Sequence, residues 1–212
     1  MYTLYYSPGS ASFAVHWMLI HVDATFELIE VNLKAKEQRS AQYLALNPSG
    51  HVPTLLIAGK PRTECAALLM MLAERHPEAR LAPAIGESHR DMFLQSMFYL
   101  ANTVQPAFRM WFYADEMAGV ENVAATKTHA QTKIEGAMRR LDEQFADGRR
   151  YLVGQNLTAA DFLATMLMRW SRNMTCSAMR YEHLADYIRR MWTIPSLRQV
   201  HDREGLTDWV PG

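Results

Sequence analysis

Near residue 77 the hydrophobic period of this chain changes, and it does not change back. Up to His76, strand-like and helix-like segments alternate. From Ser88 onward every apolar pattern recurs at steps of three and four, the helical period. The stretch between, PEARLAPAIGE (77–87), holds Pro77, Pro83 and Gly86 and reads as a linker. Such a chain folds as a small α/β domain, residues 1–78, followed by an all-helical domain, residues 88–212.

Within the first part, YTLYY (2–6) is aromatic and β-branched and predicts a buried strand. ASFAVHWMLIHV (11–22) carries few charges and predicts a helix packed on a sheet. FELIEV (26–31) alternates apolar and acidic residues and predicts a strand, and EQRSAQYLAL (37–46) a short polar helix. NPSGHVP (47–53) is dense in turn residues, TLLIA (54–58) is an apolar strand, and GKP (59–61) reads as a tight hairpin turn. CAALLMMLAERH (65–76) is an apolar helix that stops before Pro77. The order β-α-β-α-β-β-α makes the strands around GKP antiparallel. The earlier strands need a crossover, so the sheet is expected to be mixed.

In the second part Phe93, Met97, Leu100, Val104 and Phe108 form one helical stripe, and Ile134, Ala137, Met138, Leu141 and Phe145 another. Further helices are expected near 158–172, 181–193 and 196–204. In NLTAADFL (156–163), Thr158 is an N-cap, Asp161 stands at N3, and Leu157 can pack on Phe162. That is a capping box with a hydrophobic staple, and its role is helix nucleation.

Hydrophobic residues make up 49% of the chain, enough for a core without disulfides or metals. Net charge is zero with no basic block, which argues against nucleic acid as a partner. No apolar run approaches the ~20 residues that span a bilayer, and the N-terminus lacks a signal-peptide pattern. Cys65 and Cys176 form no CxxC pair, which fits a reducing cytosol. These features predict a soluble cytoplasmic protein. His16, His21, His129 and His183 show no metal-ligand spacing, so no metal is expected, and the fourteen methionines read as pliable core filling.

YYSPGSASFAVHW (5–17) turns sharply from strand to helix and crowds hydroxyls and backbone N–H groups at the helix start. Such a start serves as a plain cap or holds an anion. Three segments then coincide in order: YYSPGSAS, NPSGHVPTL and ECAALLMMLAE (64–74), followed by LTAADF in the helical part. Together they resemble the glutathione S-transferases over nearly the whole chain, closest to the bacterial beta-like and insect delta-like branches. The resemblance implies a thioredoxin-like domain joined to a helical bundle, usually a homodimer. It also implies glutathione as co-substrate, no metal, and a detoxifying role in which the glutathione thiolate attacks a hydrophobic electrophile.

The resemblance also suggests site residues. Ser10 aligns with the serine that holds the glutathione sulfur in delta-like enzymes. Beta-like enzymes carry a cysteine one position later, where this chain has Ala11, so covalent cysteine chemistry is not expected. Ser12 is an alternative to Ser10, and so are Tyr5 and Tyr6, one of which faces outward from the strand. Val52, before a cis Pro53, is implied to offer its backbone to the cysteinyl unit, and His51 to donate to the glycyl carboxylate, with Lys34 or Lys36 as further cations. Glu64 and Cys65 stand where the family grips the γ-glutamyl group with an acid and a serine. A thiol is a weaker donor than a hydroxyl, and its place at a helix start suggests an oxidation-prone cysteine.

The electrophile is expected between the domains, against the first long helix of the second. There Tyr99, Asn102, Pro106, Arg109 and Tyr113 recur at three- and four-residue steps and so share one face. Trp111 and Phe112 follow, and Arg169 and Trp170 are candidates to close the pocket. An aromatic face with one arginine suits a flat apolar electrophile carrying an acidic or oxygen-bearing group. Pro106 should kink this helix. Two other readings remain at this stage. One is a non-catalytic binding or regulatory protein of the same fold. The other is a glutathione-dependent reductase or peroxidase, against which Ala11 argues.

Overall fold

A computed structural model describes residues 1–209. The chain begins with β1 (Tyr2–Tyr6), α1 (Ser12–His21), β2 (Phe26–Glu30), α2 (Ala41–Leu46), β3 (Thr54–Ile57), β4 (Lys60–Arg62) and α3 (Cys65–Arg75). Helices follow: α4 (Arg90–Tyr99), α5 (Gln105–Phe112), α6 (Ala114–Ala118), α7 (Val123–Phe145), α8 (Ala159–Trp170), α9 (Glu182–Met191) and α10 (Pro195–Arg203). Two compact units result. One is Met1–Ala82 together with the described residues from Trp192 onward, and the other runs from Pro83 to Met191.

The sheet of the first unit has strand order β2-β1-β3-β4. β1 pairs parallel with β2 and antiparallel with β3, and β3 pairs antiparallel with β4, so the sheet is mixed as expected. The hairpin differs from expectation at its tip. Lys60 and Pro61 lie in β4, opposite Ile57 and Leu56, and the turn is Ala58-Gly59. Both turn residues have positive φ, 50° and 74°, the twist that a two-residue hairpin loop demands. Pro61 is tolerated because β4 is an edge strand, where no ladder N–H is lost. The segment 37–46 also divides. Residues 37–39 form a 3-10 turn, and Ser40 then caps α2, its hydroxyl accepting the Tyr43 N–H at 3.2 Å.

α1 is apolar nearly all round, and a helix of that kind is buried on every side. Residues 12–19 are all buried, between β1, α3 and α10. Polar ties fix the α10 side. The Trp17 indole donates to the Ser196 hydroxyl at 2.9 Å, and Phe13 meets the His201 ring edge-on. The C-terminal segment thus completes the first unit's core.

In the second unit both stripes are buried, Phe93 to Phe108 and Ile134 to Phe145 alike. α8 is buried from Ala159 to Arg169. The Asp161 carboxylate, fully buried, accepts the N–H groups of Leu152 and Thr158 and the hydroxyls of Thr158 and Tyr187, at 2.8 to 3.0 Å. Residues Leu100–Val104, between α4 and α5, form a π-helical turn. Pro106 lacks an N–H and its ring clashes with the carbonyl four residues back. The wider turn relieves that clash, so the proline's effect is absorbed by a change of helical register. α4 packs on α8 while α5 packs on α7.

Candidate functional site

The turn between β1 and α1 is held by its own hydroxyls. The Ser12 hydroxyl, wholly buried, accepts the Ser7 N–H and donates to the Ser7 carbonyl, each at 3.1 Å. Ser12 has only one proton to give, so in the 2.9 Å contact between the two hydroxyls Ser10 is the donor. Ser10 is half-buried at the helix start, and Ser12 braces it from below. Gly9 turns the chain with φ 66°, a conformation that costs glycine nothing. Its N–H donates to Glu204 Oε2 at 2.7 Å. The other oxygen of Glu204 meets His16 Nδ1 at 2.8 Å with both side chains wholly buried. A carboxylate brings no proton, so the imidazole Nδ1–H is the donor.

Tyr5 and Tyr6 face opposite ways, as the strand period requires. Tyr5 joins Tyr43, Val31 and Val52 in a small apolar cluster. Tyr6 packs edge-on to His16, and its phenol is pushed above the ordinary value by burial, then by the charges of Glu30 and Glu204. An anion beside Tyr6 would meet the same two carboxylates.

The 47–53 loop is ordered around one carbonyl. The Tyr43 hydroxyl and the Asn47 amide both donate to the His51 carbonyl at 2.7 Å, and both also meet the Thr54 hydroxyl. The next peptide, Val52–Pro53, is cis. The Val52 N–H and C=O make no hydrogen bond to any described residue. A strand-like segment with both backbone groups unpaired can take an extended peptide as a partner.

At the start of α3, Glu64 is exposed and holds φ 67°, a conformation disfavoured for a residue with a side chain. Such strain is kept where the surroundings over-determine it. The Cys65 thiol turns inward and donates to the Ala11 carbonyl at 3.2 Å. Burial, with the Glu64 charge second, pushes that thiol up to about 12. The expectation of an oxidation-prone Cys65 is therefore corrected: loss of water outweighs the helix start. What α3 offers a carboxylate is its backbone N–H groups.

In the second unit, the residues expected to share one face lie on both sides of the π turn at Leu100–Val104. Tyr99 lies before the turn, under the Arg140 guanidinium at 4.4 Å, and Asn102 is exposed within it. Arg109 and Tyr113 lie beyond it and meet each other at 5.1 Å. Trp111, Phe112 and Trp170 form an aromatic cluster with Phe108. Sequence reasoning found these rings and Arg109. It missed Arg140 and the pair Glu204–His16, because no short-range pattern links residues so far apart. Among the described residues, no group of three or more His, Cys, Asp or Glu is arranged to hold a metal, and no helix is long and apolar enough to cross a membrane.

Comparison with known proteins gives the family. Residues 1–74 match the family model of the glutathione S-transferase N-terminal domain, and residues 89–195 that of the C-terminal domain. The chain is 27% identical over 205 residues to glutathione S-transferase GstA of Escherichia coli O157:H7, covering 96% of this chain and 98% of that one. It is similar to a sphingomonad glutathione S-transferase solved in complex with glutathione, at TM-score 0.83 and 28% identity, covering 97% of this chain and all of the other. It is also similar to the beta class glutathione S-transferase of Sphingomonas chungbukensis, at TM-score 0.84 and 27% identity, with coverage of 97% and 100%. With both of its domains matched in order, the chain belongs to the glutathione S-transferase family.

Proposed function

We propose that this protein binds glutathione on its first unit, activates the thiol as thiolate, and transfers it to a hydrophobic electrophile. Ser10 is the thiolate donor in this reading. The observation that carries it is the division of labour between two hydroxyls: Ser12 is buried and fully engaged, while Ser10 is half-buried and gives its one proton to Ser12 alone, a bond it can exchange for one to a ligand. A glutathione thiol at the head of α1 meets that hydroxyl and the positive end of the helix dipole. Tyr6 is disfavoured by Glu30 and Glu204. The unpaired Val52 backbone takes the cysteinyl unit, with Pro53 shaping the turn. Glu64 and the N–H groups at Cys65 take the γ-glutamyl end, and His51 the glycyl carboxylate. Tyr99, Asn102, Arg109 and Tyr113 are assigned to the electrophile. On this reading the protein works as a cytoplasmic homodimer in detoxification.

A free thiol titrates near 8.5, and lowering that by about two units takes roughly 2.7 kcal/mol of thiolate stabilisation. One charge-assisted hydrogen bond plus a helix start is of that order. The test is glutathione calorimetry on wild type and Ser10→Ala, followed by thiolate absorbance of the complex against pH. Wild type is expected to bind with a depressed thiol, and Ser10→Ala to bind without the depression. No binding at millimolar glutathione would overturn the reading. A depression that survives in Ser10→Ala would overturn the assignment of Ser10.

A further inference from the structure

Two cations sit on rings at the end of α5: Arg109 of α5 itself and Lys127 of α7. The Arg109 guanidinium lies over the Tyr113 ring, and the Lys127 ammonium over the Trp111 ring, each at 5.1 Å. Neither forms an ion pair with any described residue, although Asp115 and Glu116 follow in α6. Other arginines of the same unit do pair: Arg149 with Asp147 and Arg189 with Asp186, both at 2.6 Å. The Trp111 ring under Lys127 is continuous with an exposed aromatic surface, and Tyr113 under Arg109 follows Phe112 in the chain. Trp111 meets Phe112 at 5.1 Å, Phe112 meets Trp170 at 5.9 Å, and Phe112 and Tyr113 are 43% and 38% exposed.

We propose that this surface selects planar aromatic electrophiles bearing an anionic group, an aryl carboxylate or sulfonate, with Arg109 and Lys127 as the specificity-determining residues. The role as an electrophile site rests on the transferase reading; the ligand class rests on charge and shape. A cation held over a ring by its quadrupole keeps its charge. A neutral arene laid on this surface would strip water from a half-buried cation beside it and return nothing for it. An anionic arene stacks on the same rings and returns a charge-assisted hydrogen bond, bidentate at the guanidinium fork. The arrangement therefore discriminates by charge where a purely aromatic surface would not.

The test uses unreactive probes, dinitrobenzoate and dinitrobenzene, titrated into the wild-type protein without glutathione and read by quenching of tryptophan fluorescence. The carboxylate probe is expected to bind about tenfold more tightly, the value of one such hydrogen bond. In Arg109→Gln the ratio of the two affinities should fall by about that factor, in Lys127→Gln it should fall as well, and Arg109→Lys should retain more of it than Arg109→Gln. A ratio spares the conclusion any general loosening of the fold, since both probes share the rings. Equal binding of the two probes, or a ratio unchanged in both Gln variants, would overturn the proposal. Turnover of a chloronitrobenzoate with glutathione then separates the two levels. Charge selection without turnover would leave the ligand class standing and sink the transferase reading.

Discussion

Glu204 Oε2 accepts the backbone N–H of Gly9 at 2.7 Å, so a side chain at the end of α10 holds the turn that presents Ser10. The same carboxylate is the buried partner of His16 in α1. One residue near the end of the chain thus fixes both sides of the β1–α1 connection.

Removing that carboxylate should be costly. In Glu204→Ala the His16 Nδ1–H and the Gly9 N–H lose their acceptor inside the fold. Removing the acceptor of a buried donor in this way typically costs about 1–3 kcal/mol. The urea midpoint should drop accordingly with little change in slope, and Glu204→Gln, which keeps one acceptor oxygen, should lie between Ala and wild type. A midpoint unchanged in Glu204→Ala would show that the turn stands without this tie.

The two serines should separate stability from chemistry. Ser12→Ala leaves the Ser7 N–H and carbonyl without their partner, and an unsatisfied group of that kind costs about 1–3 kcal/mol. Ser10→Ala removes a half-exposed hydroxyl, and its thermal midpoint should move much less. Ser10→Ala should nevertheless suffer the larger fall in kcat at neutral pH. Midpoints and steady-state kinetics on both variants check the pattern, and a larger kcat loss in Ser12→Ala would transfer the proposed role to that residue.

What could be read from residue order follows from local physics. The stripe from Phe93 to Phe108 and the one from Ile134 to Phe145 are buried because a 3.6-residue period puts them on one side of a helix. Thr158 and Asp161 are three apart, and capping acts at that range. The three loops of the candidate site were legible for the same reason, since each motif is contiguous. The rest depends on distance or on a local compromise. Glu204 and Gly9 are 195 residues apart. Cys65 stands at a helix start, where its thiol should be acidified, yet it is wholly buried against Ala11, and only the fold decides which effect wins. Pro106 announces a disturbance, but whether it appears as a kink or as the π turn at Leu100–Val104 depends on α7 and α8 packing against the helix.

Asp161 predicts a pH dependence of stability. Burial raises its carboxyl from 3.8 to about 6, against the lowering effect of the donors around it, led by the Leu152 and Thr158 N–H groups. Between those two values the folded state binds a proton that the unfolded state has released, so stability falls as pH rises through that window and levels off above it. The amplitude is about 3 kcal/mol at 1.36 kcal/mol per unit. In Asp161→Asn this slope should vanish. The variant should also be less stable than wild type at neutral pH, because its amide NH2 faces donors where the carboxylate faced acceptable partners. Urea midpoints from pH 4 to pH 7 on both proteins check the slope, and parallel curves would exclude Asp161 as its source.

The two cysteines should differ in reactivity. Cys65 is buried, its thiol pushed up to about 12 and donating to the Ala11 carbonyl. Thiolate is the reactive form, and at pH 8 a thiol of that strength is ionised only to about one part in ten thousand. Cys176 is partly exposed. A thiol reagent added to the native protein should therefore modify Cys176 quickly and leave Cys65 untouched until denaturant is added, and Cys176→Ser should be inert in the native state. Cys65→Ser replaces the thiol with a stronger donor to the same carbonyl. It should keep the fold's stability within about 1 kcal/mol, as expected for one donor exchanged for another, while binding glutathione at least as tightly as wild type. Rapid labelling of Cys65 in the folded protein would mean that the start of α3 opens to water, and the inward-turned thiol would then not describe the protein in solution.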